Sequence, residues 1–150
     1  MSEPFEREGG CRCGQVRFRI TARPMLTMAC HCRGCQRMTG SAFSLSVAIP
    51  QPGFAVTAGE TVSGGLKGDD LHHHFCPSCL SWMFTTAQAM PFVNVRASLL
   101  DDPEGLEPFI ETQTAEKLSW AATPAVHSFD RFPTATAYEG LLTEYATRQA

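Results

Sequence analysis

The sequence predicts a mainly β fold of many short strands, followed by a short C-terminal helix. Three observations carry this. Apolar and polar residues alternate over several brief stretches, glycines and prolines punctuate them, and only the last segment shifts to helical spacing.

Taken in order, Val16, Phe18 and Ile20 alternate with Arg17, Arg19 and Thr21, which describes a half-buried strand. Pro24 ends it, and residues 25–29 form the next strand, delivering the chain to Cys30. Residues 33–40 have the composition of a short helix or helical turn, stopped by Gly40. Residues 42–49 form a strand with Phe43, Leu45, Val47 and Ile49 on one face. Shorter strands follow at 54–57 and 61–63, separated by Gly59, and Gly64, Gly65 and Gly68 mark a turn. Residues 71–75 lead into a cysteine pair, 82–85 lead out of it, and 92–97 form another strand. LLDDPEG, residues 99–105, is a turn in which Pro103 biases Asp102 away from helix. After a last apolar segment at 109–112 comes an irregular stretch with Pro124 and Pro133. Residues 136–149 are helical, with Thr136 and Glu139 as a capping box and Tyr138, Leu141, Leu142 and Tyr145 as the apolar face.

A chain of 150 residues is expected to form a single domain, residues 1–150. It holds 43% hydrophobic and 18% charged residues, the composition of a globular protein. No apolar run approaches the ~20 residues of a membrane helix, so no membrane partner is expected. The N-terminus MSEPFEREGG lacks the basic start and apolar stretch of a secretory signal. A cytoplasmic location with reduced thiols follows as an expectation, and an odd cysteine count argues against a complete disulfide framework. The formal charge is −3, and two zinc ions on seven thiolates would bring it to about −6. That balance argues against nucleic acid as a partner.

Seven cysteines form three clusters: Cys11 with Cys13, then Cys30, Cys32 and Cys35, then Cys76 with Cys79. Each spacing lets one short turn aim its sulfurs at a point. Four thiolates close a tetrahedral zinc site, whereas three leave a position open. Seven therefore divides into the two outer pairs as one structural site and the middle triplet as a second, open one. A structural zinc site contributes roughly 10–16 kcal/mol of apparent binding free energy in small peptides, comparable with the stability of a whole domain. A redox dithiol at Cys76 and Cys79 is the competing reading of that pair. However, Leu80, Ser81 and Trp82 make a poor helix start, and no βαβ pattern surrounds them.

Within ACHCRGCQ, His31 lies between two cysteines, and on an extended segment it points away from both. It is expected to be a supporting or surface group rather than a fourth ligand. The competing reading closes the triplet with a histidine from elsewhere, His72, His73, His74 or His127. Zinc held by three thiolates carries a net charge of −1 and is a weaker Lewis acid than zinc on three neutral histidines. Its natural chemistry is binding, orienting and deprotonating another thiol. Neither H-E-x-x-H nor the H-x-E…P-C-x-x-C signature of zinc deaminases is present.

The order GGCRCGQVRFRI, CHCRGCQRMTGSAFS, HFCPSCLSWMF, ASLLDDPEG and EKLSW resembles the glutathione-dependent formaldehyde-activating enzyme family, which includes centromere-protein-V-like proteins. The resemblance runs over roughly residues 7–133, and all seven cysteines fall on the family's ligand positions. It implies a β-tent of small antiparallel sheets around structural zinc. By the same resemblance Cys11, Cys13, Cys76 and Cys79 hold that structural zinc. Cys30, Cys32 and Cys35 hold a catalytic one, two zinc ions per chain, with glutathione docking nearby. The implied activity is a carbon–sulfur lyase that makes or breaks the bond in S-(hydroxymethyl)glutathione. The family's Gly-Ser is here Gly40–Ser41 and its late tryptophan is Trp120. The chain departs from the family after the C-x-x-C, where Leu80 and Ser81 replace Gly-Thr, and the final helix looks like an addition.

Arg33 and Arg37 lie about one helical turn apart beside the triplet, placed either to meet glutathione carboxylates or to form an exposed basic face. With Ser41 and Trp120 they are the substrate-binding candidates. Asp101 and Asp102 read as a solvated turn rather than a catalytic pair. Alternation separates His73 from His72 and His74, which suits a polar strand. Trp82 suits a core position as well as a pocket wall. The alternative to an enzyme is a non-catalytic zinc module that binds a thiol ligand or a protein partner.

Overall fold

The computed structural model describes residues 3–66 and 68–149. Its strands are β1 (Arg7–Gly10), β2 (Arg17–Ile20), β3 (Leu26–Cys30), β4 (Ser44–Pro50), β5 (Phe54–Ala58), β6 (Val62–Gly64), β7 (Leu71–Phe75), β8 (Trp82–Ala87), β9 (Phe92–Arg96), β10 (Ile110–Thr112) and β11 (His127–Ser128). The helices are α1 (Arg33–Thr39) and α2 (Ala135–Gln149). The fold is thus mainly β with one short C-terminal helix, as the sequence predicts. No helix among the described residues is long and apolar enough to cross a membrane. The chain divides into two compact units: Met1–Pro24 with Val47–Glu104, and Met25–Ser46 with Gly105–Ala150.

In the first unit β1, β2 and β5 form an antiparallel sheet, and β6 to β9 follow one another as antiparallel neighbours in a second. Val16, Phe18 and Ile20 are fully buried, so the alternation read from the sequence is the inward face. Aromatic rings continue the core from Phe18 to Phe54 at 5.6 Å, and on to Phe84 at 4.7 Å. β1 is absent from the sequence prediction because Glu8, Gly9 and Gly10 carry no apolar alternation. Gly9 is there for closeness: a Cβ would stand 2.5 Å from the Leu99 carbonyl oxygen and 2.6 Å from Phe18 Cζ.

In the second unit β3, β10 and β11 are neighbours and run parallel, with Thr112 opposite Cys30 and Ser128 opposite Glu111. These parallel pairs stand beside the expected antiparallel ones. Strand direction depends on connections that apolar alternation does not encode. The core of this unit includes Leu26, Ala29, Phe109, Ile110, Leu141 and Tyr145. The predicted one-sided face of β4 is also corrected. Ser44 and Ser46 are buried along with Val47, Ala48 and Ile49, because the strand is covered on both faces.

Gly40 ends α1 at φ 64°, with its N–H on the Gln36 carbonyl, as predicted. The start of α2 differs from prediction. The cap is Thr134, whose hydroxyl accepts the Ala137 N–H at 3.2 Å, rather than Thr136. The apolar face is as read, with Leu141 and Tyr145 buried and Tyr138 and Leu142 half-buried. Thr134→Ala is therefore expected to cost about 1 kcal/mol and Thr136→Ala only a few tenths, roughly, measured by denaturant unfolding.

Candidate metal centres

Four sulfurs meet in the first unit. Cys11 and Cys13 occupy the turn between β1 and β2, closed by Cys11 N–H to the Val16 carbonyl and Gly14 N–H to the Cys11 carbonyl. Gly14 takes φ 80°, which that turn requires. Cys76 and Cys79 occupy the turn between β7 and β8, where Leu80 N–H returns to the Cys76 carbonyl at 2.9 Å. Backbone N–H groups point at sulfur in both turns: Val16 to Cys11 at 3.3 Å and Cys79 to Cys76 at 3.5 Å. Cys13 Sγ lies 3.6 Å from Cys11 Sγ and 3.8 Å from Cys76 Sγ. Tetrahedral zinc with Zn–S bonds near 2.3 Å spaces its sulfurs about 3.8 Å apart, so the donor set fits a four-thiolate ion.

Ser81 belongs to this site, although the sequence marked it only as a departure from the family. Its hydroxyl oxygen accepts the Arg12 N–H at 3.1 Å and its O–H donates to Cys79 at 3.2 Å. That hydroxyl, with backbone N–H groups of Cys13 and Ser81, holds the Cys79 thiol down to about 5. The other departure, Leu80, sits at φ 57° and is 66% exposed. The turn needs a left-handed residue there, and leucine takes the conformation at a steric cost.

Three sulfurs meet in the second unit, all within 4.8 Å of one another. Cys30 ends β3, Cys32 is the N-cap of α1, and Cys35 lies in the helix's first turn. Cys32 Sγ accepts the Cys35 N–H at 3.2 Å, so one ligand's sulfur caps the helix that carries another. Among the described residues no histidine or carboxylate joins these three. Hydrogen bonding from Cys35, against burial, holds the Cys30 thiol down to about 5. Cys35 is pushed up, chiefly by sharing its proton with Cys30, and Cys32 is pushed up by burial. A cation held by the three sulfurs would take the place of the proton they share.

The triplet loop is anchored from below. His31 is fully buried, not a surface group, and its Nε2 meets Glu111 Oε1 at 2.7 Å. Ser128 donates to the other carboxylate oxygen at 2.7 Å. Burial alone would raise the Glu111 carboxyl, but the hydrogen bonds from Ser128 and His31 leave it below the ordinary 4.5. Gln36, also buried, donates to the carbonyls of His31 and Glu116 at 2.7 and 2.9 Å. Sequence reasoning missed Glu111, Ser128 and Gln36. The polar make-up of RGCQRMT and IET offers no signal that Gln36 and Glu111 are the buried members.

Arg33 and Arg37 lie exposed on α1, and Arg33 donates to the Gln36 side chain. Ser41 is exposed just past the cap, with its N–H on the Thr39 hydroxyl at 3.1 Å. Trp120 is 75% exposed, beside a turn in which Ala121 N–H returns to the Leu118 carbonyl. Trp82 is buried instead, with the Arg96 guanidinium 4.0 Å over its ring. His73 bonds Thr85, while His74 bonds Thr61 and Thr86, consistent with a polar strand. Asp101 pairs with Arg17, and Asp102 accepts the Glu104 N–H, so both serve the turn.

Two cysteine clusters that could hold metal ions are thus set in a mainly β fold. The profile described as "Glutathione-dependent formaldehyde-activating enzyme" matches residues 6–116, and the chain belongs to that family. Membership associates it with enzymes of glutathione and formaldehyde chemistry. Among solved structures it is similar in fold to a Rhodobacter sphaeroides protein, a structural genomics target. The TM-score is 0.53 at 20% identity, over 67% of this chain and 91% of that one. No curated protein matches.

Leu80→Gly is expected to raise the stability of the metal-loaded protein by about 0.5–1 kcal/mol, relieved strain outweighing the entropy of an added glycine. Calorimetric melting checks this. Glu111→Ala is expected to cost about 2–3 kcal/mol at neutral pH, because it strands buried partners. Since the folded Glu111 carboxyl lies below its ordinary value, its contribution is full above pH 4.5 and lost as pH falls through the folded value. The gap between wild type and variant should therefore narrow in unfolding curves at pH 4 relative to pH 7.

Proposed function

We propose that the protein is a zinc-dependent carbon–sulfur lyase acting on a glutathione adduct such as S-(hydroxymethyl)glutathione. The observation that carries this reading is three converging thiols with no fourth ligand among the described residues, in a chain of this family. In this reading Cys11, Cys13, Cys76 and Cys79 hold a structural zinc, and Cys30, Cys32 and Cys35 a catalytic one. When bound, the second ion supplies an open position suited to sulfur.

The chain's own residues do the rest. Arg33 and Arg37, exposed on α1, provide cations for the two glutathione carboxylates. Ser41 offers a hydroxyl at the end of that helix, and Trp120 an exposed aromatic face. His31, Glu111 and Gln36 hold the loop between β3 and α1 rigid, so the three sulfurs keep their spacing. The reaction is neutral in redox terms. A sulfur lone pair forms the C–S bond to formaldehyde, the carbonyl π pair moves to oxygen, and the thiol proton ends on that oxygen. Cleavage is the reverse.

Purified protein is expected to carry about two zinc ions and Cys35→Ser about one, the loss being confined to the triplet. The wild type should accelerate formation or breakdown of S-(hydroxymethyl)glutathione, and the variant should not. Two zinc ions inert to glutathione, with every tested adduct reacting at its uncatalysed rate, would sink the enzyme reading in favour of a binding module.

A further inference from the structure

In the second unit β10 lies beside β3, and their register decides which side chains share a face. Glu111 pairs with Ala29 and reaches His31 at 2.7 Å, so these three stand on one face. Alternation puts Ile110 and Thr112 of β10, with Met28 and Cys30 of β3, on the other. Thr112 is directly opposite Cys30, the first cysteine of the triplet. The pairing holds to its end, where the His31 N–H donates to the Thr112 carbonyl at 3.0 Å.

Thr112 is fully buried, and no nitrogen or oxygen of the described residues shares a hydrogen bond with its hydroxyl. A buried hydroxyl left without a partner is costly, and folded proteins keep few of them. The side chains around it in the sheet are apolar. Ile110 and Met28 precede it on the same face. On the far side of β10, Phe129 follows Ser128, with its N–H on the Glu111 carbonyl at 2.9 Å. The exception is the Cys30 sulfur. Paired strands lie about 4.8 Å apart, and Oγ and Sγ each extend one bond beyond Cβ. Side chains directly opposite on one face are close enough to interact, so the unused donor and the sulfur are within reach of each other.

We infer that Thr112 is a positioning residue for the triplet, its hydroxyl donating a hydrogen bond to the Cys30 sulfur of the metal-loaded site. This rests on the reading of the triplet as a metal site and needs no turnover. Partners in the shell outside a metal's own ligands orient those ligands and tune the ion. A hydroxyl can do so here without closing the open position, because it touches a ligand and leaves the ion alone. It also draws negative charge from one of three thiolates. Zinc on three thiolates carries a net charge of −1, which repels an incoming substrate thiolate, and a donor on a ligand sulfur lessens that repulsion.

Thr112→Val removes the hydroxyl and keeps the shape and the backbone carbonyl, whereas Thr112→Ser keeps the hydroxyl and loses the methyl. Full-length wild type and both variants are loaded with zinc, and the ions are then withdrawn by a competing chelator. In Thr112→Val one of the two ions should be held about tenfold more weakly, and in Thr112→Ser both within about twofold of wild type. Cobalt(II) in place of zinc supplies a spectroscopic readout. Thr112→Val should move the sulfur-to-metal charge-transfer band to longer wavelength, because a sulfur that loses a donor holds its electrons less tightly. Thr112→Ser should leave the band in place. Unchanged affinity and an unchanged band in Thr112→Val would overturn the contact and leave the two-metal reading standing. Equal changes in both variants would show a packing role and overturn the contact. A wild type that binds a single ion and leaves Cys30, Cys32 and Cys35 open to alkylation would overturn the metal reading of the triplet, and the contact with it.

Discussion

Everything in this molecule answers to the mutual repulsion of sulfur. Two thiolates 3.8 Å apart repel by about 4 kcal/mol at an effective dielectric of 20, and a four-sulfur cluster contains six such pairs. A chain that brings Cys11, Cys13 and Cys76 to such spacing is organised around a cation or around shared protons. The backbone prepares for the cation. N–H groups of Val16, Cys35 and Cys79 point at sulfur. Turn geometry follows from the same need. Gly14 and Leu80 take left-handed conformations because a turn that aims two sulfurs at one point must reverse within four or five residues.

The two clusters meet this constraint by different means. The four-sulfur cluster draws its ligands from two turns far apart in sequence, each stiffened by its flanking strands. A dication there closes a long loop, which is the arrangement that contributes most to stability. The three-sulfur cluster draws its ligands from six consecutive residues, and so closes no loop worth closing. What holds it is a buried polar network instead: His31 on Glu111, Glu111 on Ser128, Gln36 on two carbonyls. A buried network of that kind fixes position, although the second ring nitrogen of His31, Nδ1, has no hydrogen bond among the described residues.

Much of this was legible in the sequence, and the boundary has a physical cause. Cysteine spacing is local, so C-x-C and C-x-x-C disclosed the ligands and their division. Strand alternation is local too, which is why β2, β7 and β9 fell close to where they were read. What stayed hidden was long-range or inverted. Glu111 meets His31 across 80 residues, and nothing in an isolated IET segment distinguishes a buried carboxylate from an exposed one. The parallel pairing of β3, β10 and β11 depends on connections rather than on pattern. Thr134 was passed over as a cap because Thr136 with Glu139 matches the motif, while Pro133 fixes the entry of the chain two residues earlier. Leu80 is the reverse case. Propensity argued against a left-handed leucine, and the needs of the cysteine turn overrode it.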